Sequence, residues 1–311
     1  MHIVFLDRAA LPTALPSLQR EHTWRDHAYS DAIQVVERAA HADVLISNKV
    51  SLPADALRRL PWLRLIAVPA TGTDHIDLAA CAVLGIAVRN CPDYSALSVA
   101  EHAIALLLAL RRNLFAYHES VNAGRWSDSP AFYADWFPTA DLDGQTLGLF
   151  DAGTIGRRTA ELAQAFGMDV LWAERRDAAE PRAGYTAFED VLRTSDAISL
   201  HCPLTDETHG LIGAAELGRM KPDAILINTA RGGLVDEAAL LDALLSRRIG
   251  GAGLDVLSVE APPAGHPLLR QTLPNLVVTP HMAWRTPVSM RRLGEQLVAA
   301  IGDFCRSEAL R

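Results

Sequence analysis

Three short polar islands in the last third of the chain carry the residue types of one reaction centre. They are Asn228-Thr229-Ala230-Arg231-Gly232-Gly233, Asp255-Val256-Leu257-Ser258-Val259-Glu260 and Thr279-Pro280-His281-Met282-Ala283-Trp284. Each follows an apolar run that reads as a buried strand: AILI, GAGL and NLVV. In open α/β sheets, residues at the carboxyl ends of the strands line the crevice where ligands bind. Arg231 offers a planar fork for a carboxylate, His281 a proton-transfer group near neutral pH, and Glu260 an acid to orient it. That set suits redox chemistry on a 2-hydroxy or 2-oxo acid. Singly, each residue has a blander reading: a solvated arginine, a loop acid, a structural histidine.

The elements that must position these residues alternate. In the first ninety residues IVFL, DVLIS, LRLIAV and IAV read as strands, with helical spacing over Ala32–Ala40, Leu52–Leu60 and Leu78–Leu84. A long helix is expected over Ser98–Tyr117, then an irregular aromatic segment from Arg125 to Asp143 with Trp126, Phe132, Tyr133, Trp136 and Phe137. That segment suits an oligomer contact, or equally a loop pinned to its own domain. From Gln145 the alternation restarts with TLGLF, DVLWA, AISLH, AILIN, GAGLDV and NLVVT as strands, and a last amphipathic helix runs over Val288–Cys305. Strands alternating with helices imply parallel sheets covered on both faces.

The 311 residues exceed what a single core usually serves, so two domains are expected. A net charge of −8 and the absence of a basic block oppose a nucleic-acid or anionic-membrane partner. The apolar run Ala103–Leu110 is too short to span a bilayer, and the start MHIVFLDRAA lacks the pattern of a signal peptide. Cys81, Cys91, Cys202 and Cys305 show no framework spacing, which fits reduced thiols in a cytoplasmic protein. No H-E-x-x-H or other metal spacing occurs, so no metal is expected.

After TLGLF stands Asp151-Ala152-Gly153-Thr154-Ile155-Gly156, a G-x-G-x-x-G turn with aspartate in the first position. Gly153 would let the backbone approach a diphosphate and Gly156 would let the helix pack on the sheet. The diphosphate would sit on the positive end of the helix. Asp151 brings some backbone cost and a repelling charge. Eighteen residues beyond Gly156, Glu174 ends the next strand, where an acid hydrogen-bonds the adenosine ribose and favours NAD. Arg175 and Arg176 follow and leave NADP as the second choice; Glu174 as a surface acid paired with a nearby arginine also stays open.

Several long motifs in a fixed order then add a resemblance. NKV at Asn48–Val50, ATGTDHID at Ala70–Asp77, SVAEH at Ser98–His102, the glycine turn, HCPLTDETHGLI at His201–Ile212, INTARGGLVDE at Ile227–Glu237, LDVLSVE at Leu254–Glu260 and PHMAW at Pro280–Trp284 cover nearly the whole chain. The chain resembles the D-isomer-specific 2-hydroxyacid dehydrogenase family, most of all its glycerate dehydrogenase/hydroxypyruvate reductase branch. The resemblance implies an α/β protein of two doubly wound parallel-sheet domains with an inter-domain cleft. These are a discontinuous flavodoxin-like substrate domain, residues 1–95 plus 286–311, and a Rossmann NAD-binding domain, residues 96–285. It implies hydride transfer between NAD(H) and a small D-2-hydroxy or 2-oxo acid, with hydroxypyruvate and glyoxylate reduced to D-glycerate and glycolate, in a homodimer. Arg231 would clamp the substrate carboxylate, His281 would move the proton, and Glu260 would hold the histidine. Gly153, Thr154, Ile155, Gly156, Glu174, Cys202, Pro203, Thr208, Thr229, Ala230 and Asp255 fall on family cofactor contacts, Asp255 at the nicotinamide carboxamide. Thr71 and Gly72 fall on the loop that receives the substrate carboxylate, with Asn48 and Lys49 near it. Ala261 replaces a proline common after the family's glutamate. Two rivals remain: a reductase of bulkier 2-oxo acids using NADPH, and a dinucleotide-sensing regulator of the same fold.

Overall fold

In a computed structural model, described over residues 1–270 and 273–309, the chain divides into two compact units, Met1–Ser95 with Arg285–Arg311, and Ala96–Trp284. Arg285 thus goes with the first unit rather than the second, and residues 310 and 311 lie outside the described residues.

The first unit holds a parallel sheet of five strands: β1 (His2–Phe5), β2 (Thr23–Asp26), β3 (Val44–Ile46), β4 (Leu65–Val68) and β5 (Ala87–Asn90). Their order, β2-β1-β3-β4-β5, is the flavodoxin-like 2-1-3-4-5. Every residue of β3 and β4 is buried, the continuous apolar run that a sheet covered on both faces demands. β2 has no such run. It is an edge strand, Thr23-Trp24-Arg25-Asp26, and its mostly exposed residues hid it from the apolar pattern. The helices Val35–Ala39 and Ala54–Leu57 are shorter than their spacing suggested, and Pro53 caps the second from outside. Pro287–Ala309 packs on β4 and β5, and its residues Leu293, Leu297 and Ile301 are fully buried.

In the second unit all six apolar runs are strands of one parallel sheet: β6 (Thr146–Phe150), β7 (Asp169–Trp172), β8 (Ala197–Leu200), β9 (Ile225–Asn228), β10 (Gly251–Leu254) and β11 (Leu276–Val278). The order is β11-β10-β9-β8-β6-β7. Beyond β7, where a doubly wound dinucleotide-binding sheet of order 3-2-1-4-5-6 runs a third strand, there is one parallel bridge, Ala173 to Thr186. Third place in the sheet is therefore reduced to a single residue, and β11 extends the opposite edge.

The expected long helix is two helices, Ala96–Arg111 and Leu114–Asn122. Asn113 breaks it in a left-handed conformation (φ 48°), and its side-chain amide donates to the Pro138 carbonyl at 2.5 Å. The aromatic segment divides between its two readings. Trp136 and Phe137 pack on Tyr117, whose hydroxyl donates to the Phe137 carbonyl at 2.9 Å, and the Arg125 guanidinium lies 4.4 Å from the Trp136 ring centre. Phe132 and Tyr133 stay 87% and 63% exposed. Among the described residues no helix is long and apolar enough to cross a membrane.

Asn113→Ala is expected to cost about 1–2 kcal/mol, through a left-handed Ala backbone and a lost hydrogen bond, while Asn113→Gly costs less. Urea midpoints decide it; an alanine variant as stable as wild type would mean that the helix break lies elsewhere.

Candidate active site

The three polar islands are turns at the carboxyl ends of β9, β10 and β11, and the chain's own polar groups shape each one. At β9, buried Asn228 accepts the Ala230 N–H at 3.1 Å and donates to the Arg231 carbonyl at 2.8 Å, which folds the turn that presents Arg231. Gly232 can be nothing else: a Cβ there would lie 1.9 Å from the Leu257 carbonyl carbon. The Arg231 turn and the turn after β10 are thereby in backbone contact. The guanidinium of Arg231 donates to the Ala230 carbonyl at 2.8 Å.

The turn after β10 is tied down by Glu237, which accepts the Ser258 N–H at 2.6 Å and the Ser258 hydroxyl at 2.9 Å. The same carboxylate lies 3.1 Å from Nε2 of buried His266. Glu260 then faces His281, with Oε2 2.6 Å from Nδ1. Its other oxygen accepts the Leu257 N–H at 3.3 Å. With Nδ1–H donated to Glu260, Nε2 is the nitrogen left to exchange a proton with a ligand. Both side chains are partly open, at 22% for His281 and 33% for Glu260.

His281 has φ 50°, a left-handed backbone costly for a histidine. Asp255 explains how it persists. Its backbone carbonyl accepts the His281 N–H at 2.8 Å, and its carboxylate accepts Thr279 Oγ1–H at 2.5 Å, Met282 N–H at 3.0 Å and Ala283 N–H at 2.8 Å. The Thr279 hydroxyl proton goes to Asp255, so its oxygen accepts from His102 Nε2 at 2.9 Å. At 1% exposure Asp255 is an anchor for the histidine loop. His102, Thr279 and Glu237 belong to this support. Their motifs were visible in the sequence, but no local spacing linked them to His281.

The glycine turn joins β6 to the helix Thr154–Ala165. Gly156 is obligatory, since a Cβ would meet the Asp151 carbonyl oxygen at 2.2 Å. Asp151 takes φ 94°, and its carboxylate accepts the Gly153 N–H at 3.1 Å. A donor expected for a diphosphate therefore already holds a carboxylate. Thr154 and Ile155 open the helix. Cys202 and Pro203 follow β8, and burial, then the Asp151 charge, pushes the Cys202 thiol up to about 11, so it stays protonated. His201 is held down at about 4 by burial, with Nε2 3.0 Å from Ser199 Oγ, and is neutral at pH 7. Thr208 spends its hydroxyl inside its own loop, donating to the Pro203 carbonyl at 2.7 Å. Thr229 Oγ1, beside Ala230, is buried with no hydrogen-bond partner, as expected of a group awaiting a ligand. With the glycine cradle and the helix end, this orphaned hydroxyl fits a dinucleotide, while the Asp151 carboxylate stands against it. Glu174 lies two residues beyond β7 and is buried, and both its oxygens are engaged by Arg175 and Arg182.

In the first unit, Asp7 gathers the loop after β3. Its buried carboxylate accepts the N–H groups of Asn48 at 3.0 Å and Lys49 at 2.8 Å. Burial raises the Asp7 pKa above the usual carboxylate value, against these donors. His75 Nε2 lies 3.3 Å from the Ser47 carbonyl, and burial lowers its pKa. Thr71 donates to the Cys91 carbonyl at 3.3 Å and its own carbonyl accepts from Asn90 at 2.6 Å, which holds the Thr71-Gly72 loop against β5. Asp7 was not singled out in the sequence.

The family described as D-isomer specific 2-hydroxyacid dehydrogenase, NAD binding domain, matches residues 104–283. Glycerate dehydrogenase of Methylorubrum extorquens is 44% identical, over 97% of this chain and 95% of its own. Hydroxypyruvate reductase of Blautia hydrogenotrophica is 35% identical, over 89% of this chain and 86% of its own. The crystal structure of D-lactate dehydrogenase from Aquifex aeolicus, complexed with NAD and lactic acid, superposes with a TM-score of 0.83 at 30% identity, covering 99% of this chain and 96% of that one.

Asp151→Gly frees the Gly153 N–H and removes a left-handed aspartate, so NADH should bind up to about tenfold tighter, equivalent to about 1.4 kcal/mol. Fluorescence titration of both proteins checks this. Equal or weaker binding in the variant would show that the aspartate is no obstacle.

Proposed function

The chain belongs to the D-isomer-specific 2-hydroxyacid dehydrogenase family, and from that membership we propose an NADH-dependent reductase of small 2-oxo acids. Hydroxypyruvate and glyoxylate are its substrates, D-glycerate and glycolate its products, and the reverse oxidation uses the same groups. The observation that carries this is the 2.6 Å pair of Glu260 and His281, in the unit that also holds Arg231 and the dinucleotide turn. The activities named for the relatives support the substrate class. Held at the glycine turn, the reduced nicotinamide dinucleotide would supply the hydride that the carbonyl carbon takes up. Arg231 binds the α-carboxylate through its fork and polarises the neighbouring carbonyl. His281 gives its Nε2 proton to the carbonyl oxygen, so that C=O becomes CH–OH, and Glu260 keeps the ring oriented and offsets the charge it carries beforehand.

We assign Gly153, Thr154, Ile155, Gly156, Cys202, Pro203, Thr208, Thr229, Ala230 and Asp255 to the cofactor, with Glu174 at its adenosine ribose and Asp255 also supporting the histidine loop. Asn48, Lys49, Thr71 and Gly72 are assigned to the substrate. We place the protein in the cytoplasm, which four free cysteines suit, and as a homodimer through the second unit, where Phe132 and Tyr133 offer exposed aromatic surface. A dinucleotide sensor would have no use for the Glu260–His281 pair.

Arg231→Lys keeps the charge and loses the fork, so kcat/KM for 2-oxo acids should fall at least about tenfold, roughly 1.4 kcal/mol, with NADH affinity unchanged. If turnover survives intact, the carboxylate is held elsewhere. A panel of hydroxypyruvate, glyoxylate, pyruvate and bulkier 2-oxo acids, read as kcat/KM, tests the substrate assignment, and a preference for the bulkier acids would reverse it.

His281→Ala should abolish nearly all turnover, and Glu260→Gln should lower kcat by about 10–100-fold, the usual scale of general acid–base catalysis, both with NADH binding preserved. Full activity in Glu260→Gln would remove the pair from the reaction.

A further inference from the structure

The acid at the end of β7 is already occupied. Oε1 of Glu174 accepts the Arg175 N–H at 2.9 Å, and Oε2 accepts both the backbone N–H of Arg182 at 2.9 Å and its Nε–H at 2.7 Å. A carboxylate offers about four lone-pair sites, so three are filled and Oε2 has none left. Embracing a ribose diol with both oxygens is excluded while Arg182 stays in place. Together these donors, the Arg182 side chain first, hold the Glu174 carboxyl down at about 2, so it is fully ionised and neutralised by its partner.

The loop makes this possible. With third place in the sheet reduced to the Ala173–Thr186 bridge, the intervening chain folds back and lays Arg182 on the acid. The guanidinium carbon lies 4.0 Å from the Tyr185 ring centre, and the Arg182 side chain is 57% exposed against 3% for Glu174. An acid at this strand end selects NAD by accepting ribose hydroxyls and by repelling a 2′-phosphate. Here the repelling charge is covered, and the group that covers it is a cation open to solvent. Arg175, also exposed, adds a second positive charge beside it.

We propose that Arg182 is the specificity-determining residue at the adenosine end, and that by covering Glu174 it lets the protein bind NADPH as well as NADH. The inference rests on the assignment of Glu174 to the ribose made above. The test is direct binding, measured as Kd for NADH and for NADPH by fluorescence titration of the full-length wild type, Arg182→Gln, Arg182→Lys and Glu174→Gln. In the wild type the two Kd values should agree within about tenfold, 1.4 kcal/mol. Arg182→Gln uncovers the charge and should raise the Kd ratio of NADPH to NADH at least about tenfold, mainly through NADPH. Arg182→Lys keeps the cation and should stay near the wild-type ratio, and Glu174→Gln should shift the ratio towards NADPH. Rejection of NADPH by the wild type beyond about tenfold overturns the proposal, and this arm needs no variant to fold. An unchanged ratio in Arg182→Gln, alongside a shifted one in Glu174→Gln, overturns the role of Arg182 and leaves the ribose assignment standing. If neither variant shifts the ratio, the ribose assignment falls and the proposal with it.

Discussion

Asp255 carries a charge to a place where it is 1% exposed, and such a charge is tolerable only when fully hydrogen-bonded. The donors come from one short segment, Thr279 to Ala283, so satisfying the carboxylate also wraps that segment around the end of β10. The left-handed backbone of His281 is held by the same wrapping, and the direction of its ring towards Glu260 follows. Removing the Asp255 charge would leave three donors without their acceptor and release the histidine from its angle. Burial, loop shape and proton chemistry thus meet at one side chain.

The same economy recurs elsewhere. Glu237 ties Ser258 and faces His266, and Asp7 ties the loop after β3. In each case an acid at or near the end of an element satisfies backbone N–H groups of a turn that carries functional side chains. A parallel sheet delivers many strand ends to one side but leaves the turns after them without ladder partners. Buried or half-buried carboxylates supply the missing acceptors, which is one use an acidic chain makes of its charge.

What could be read from the residues alone follows from range. The central strands of the second unit, β8, β9 and β10, were legible because fully buried parallel strands are continuous apolar runs, and the glycine turn because Gly156 leaves no room for a Cβ. Arg231, Glu260 and His281 were legible as motifs at strand ends. β2 was not, since an edge strand needs no apolar run. The break at Asn113 was hidden because apolar residues continue on both sides of it. The partner of Glu174 stands eight residues away in a loop, and nothing in the spacing announces that Arg182 folds back upon it. The three donors to Asp255 lie up to 28 residues away, so its hold on the histidine loop has no local signal.

The margins of the two sheets have a consequence for self-association. β2 presents Arg25 and Asp26, β5 presents Arg89, β11 is only three residues long, and the flank of β7 is covered at Thr186. Charged or short borders deter strand addition from another molecule. Copies of this chain therefore have little to gain from zipping backbones together. The exposed rings of Phe132 and Tyr133, on an irregular segment, likewise have no ladder of their own to extend and open no route to fibres.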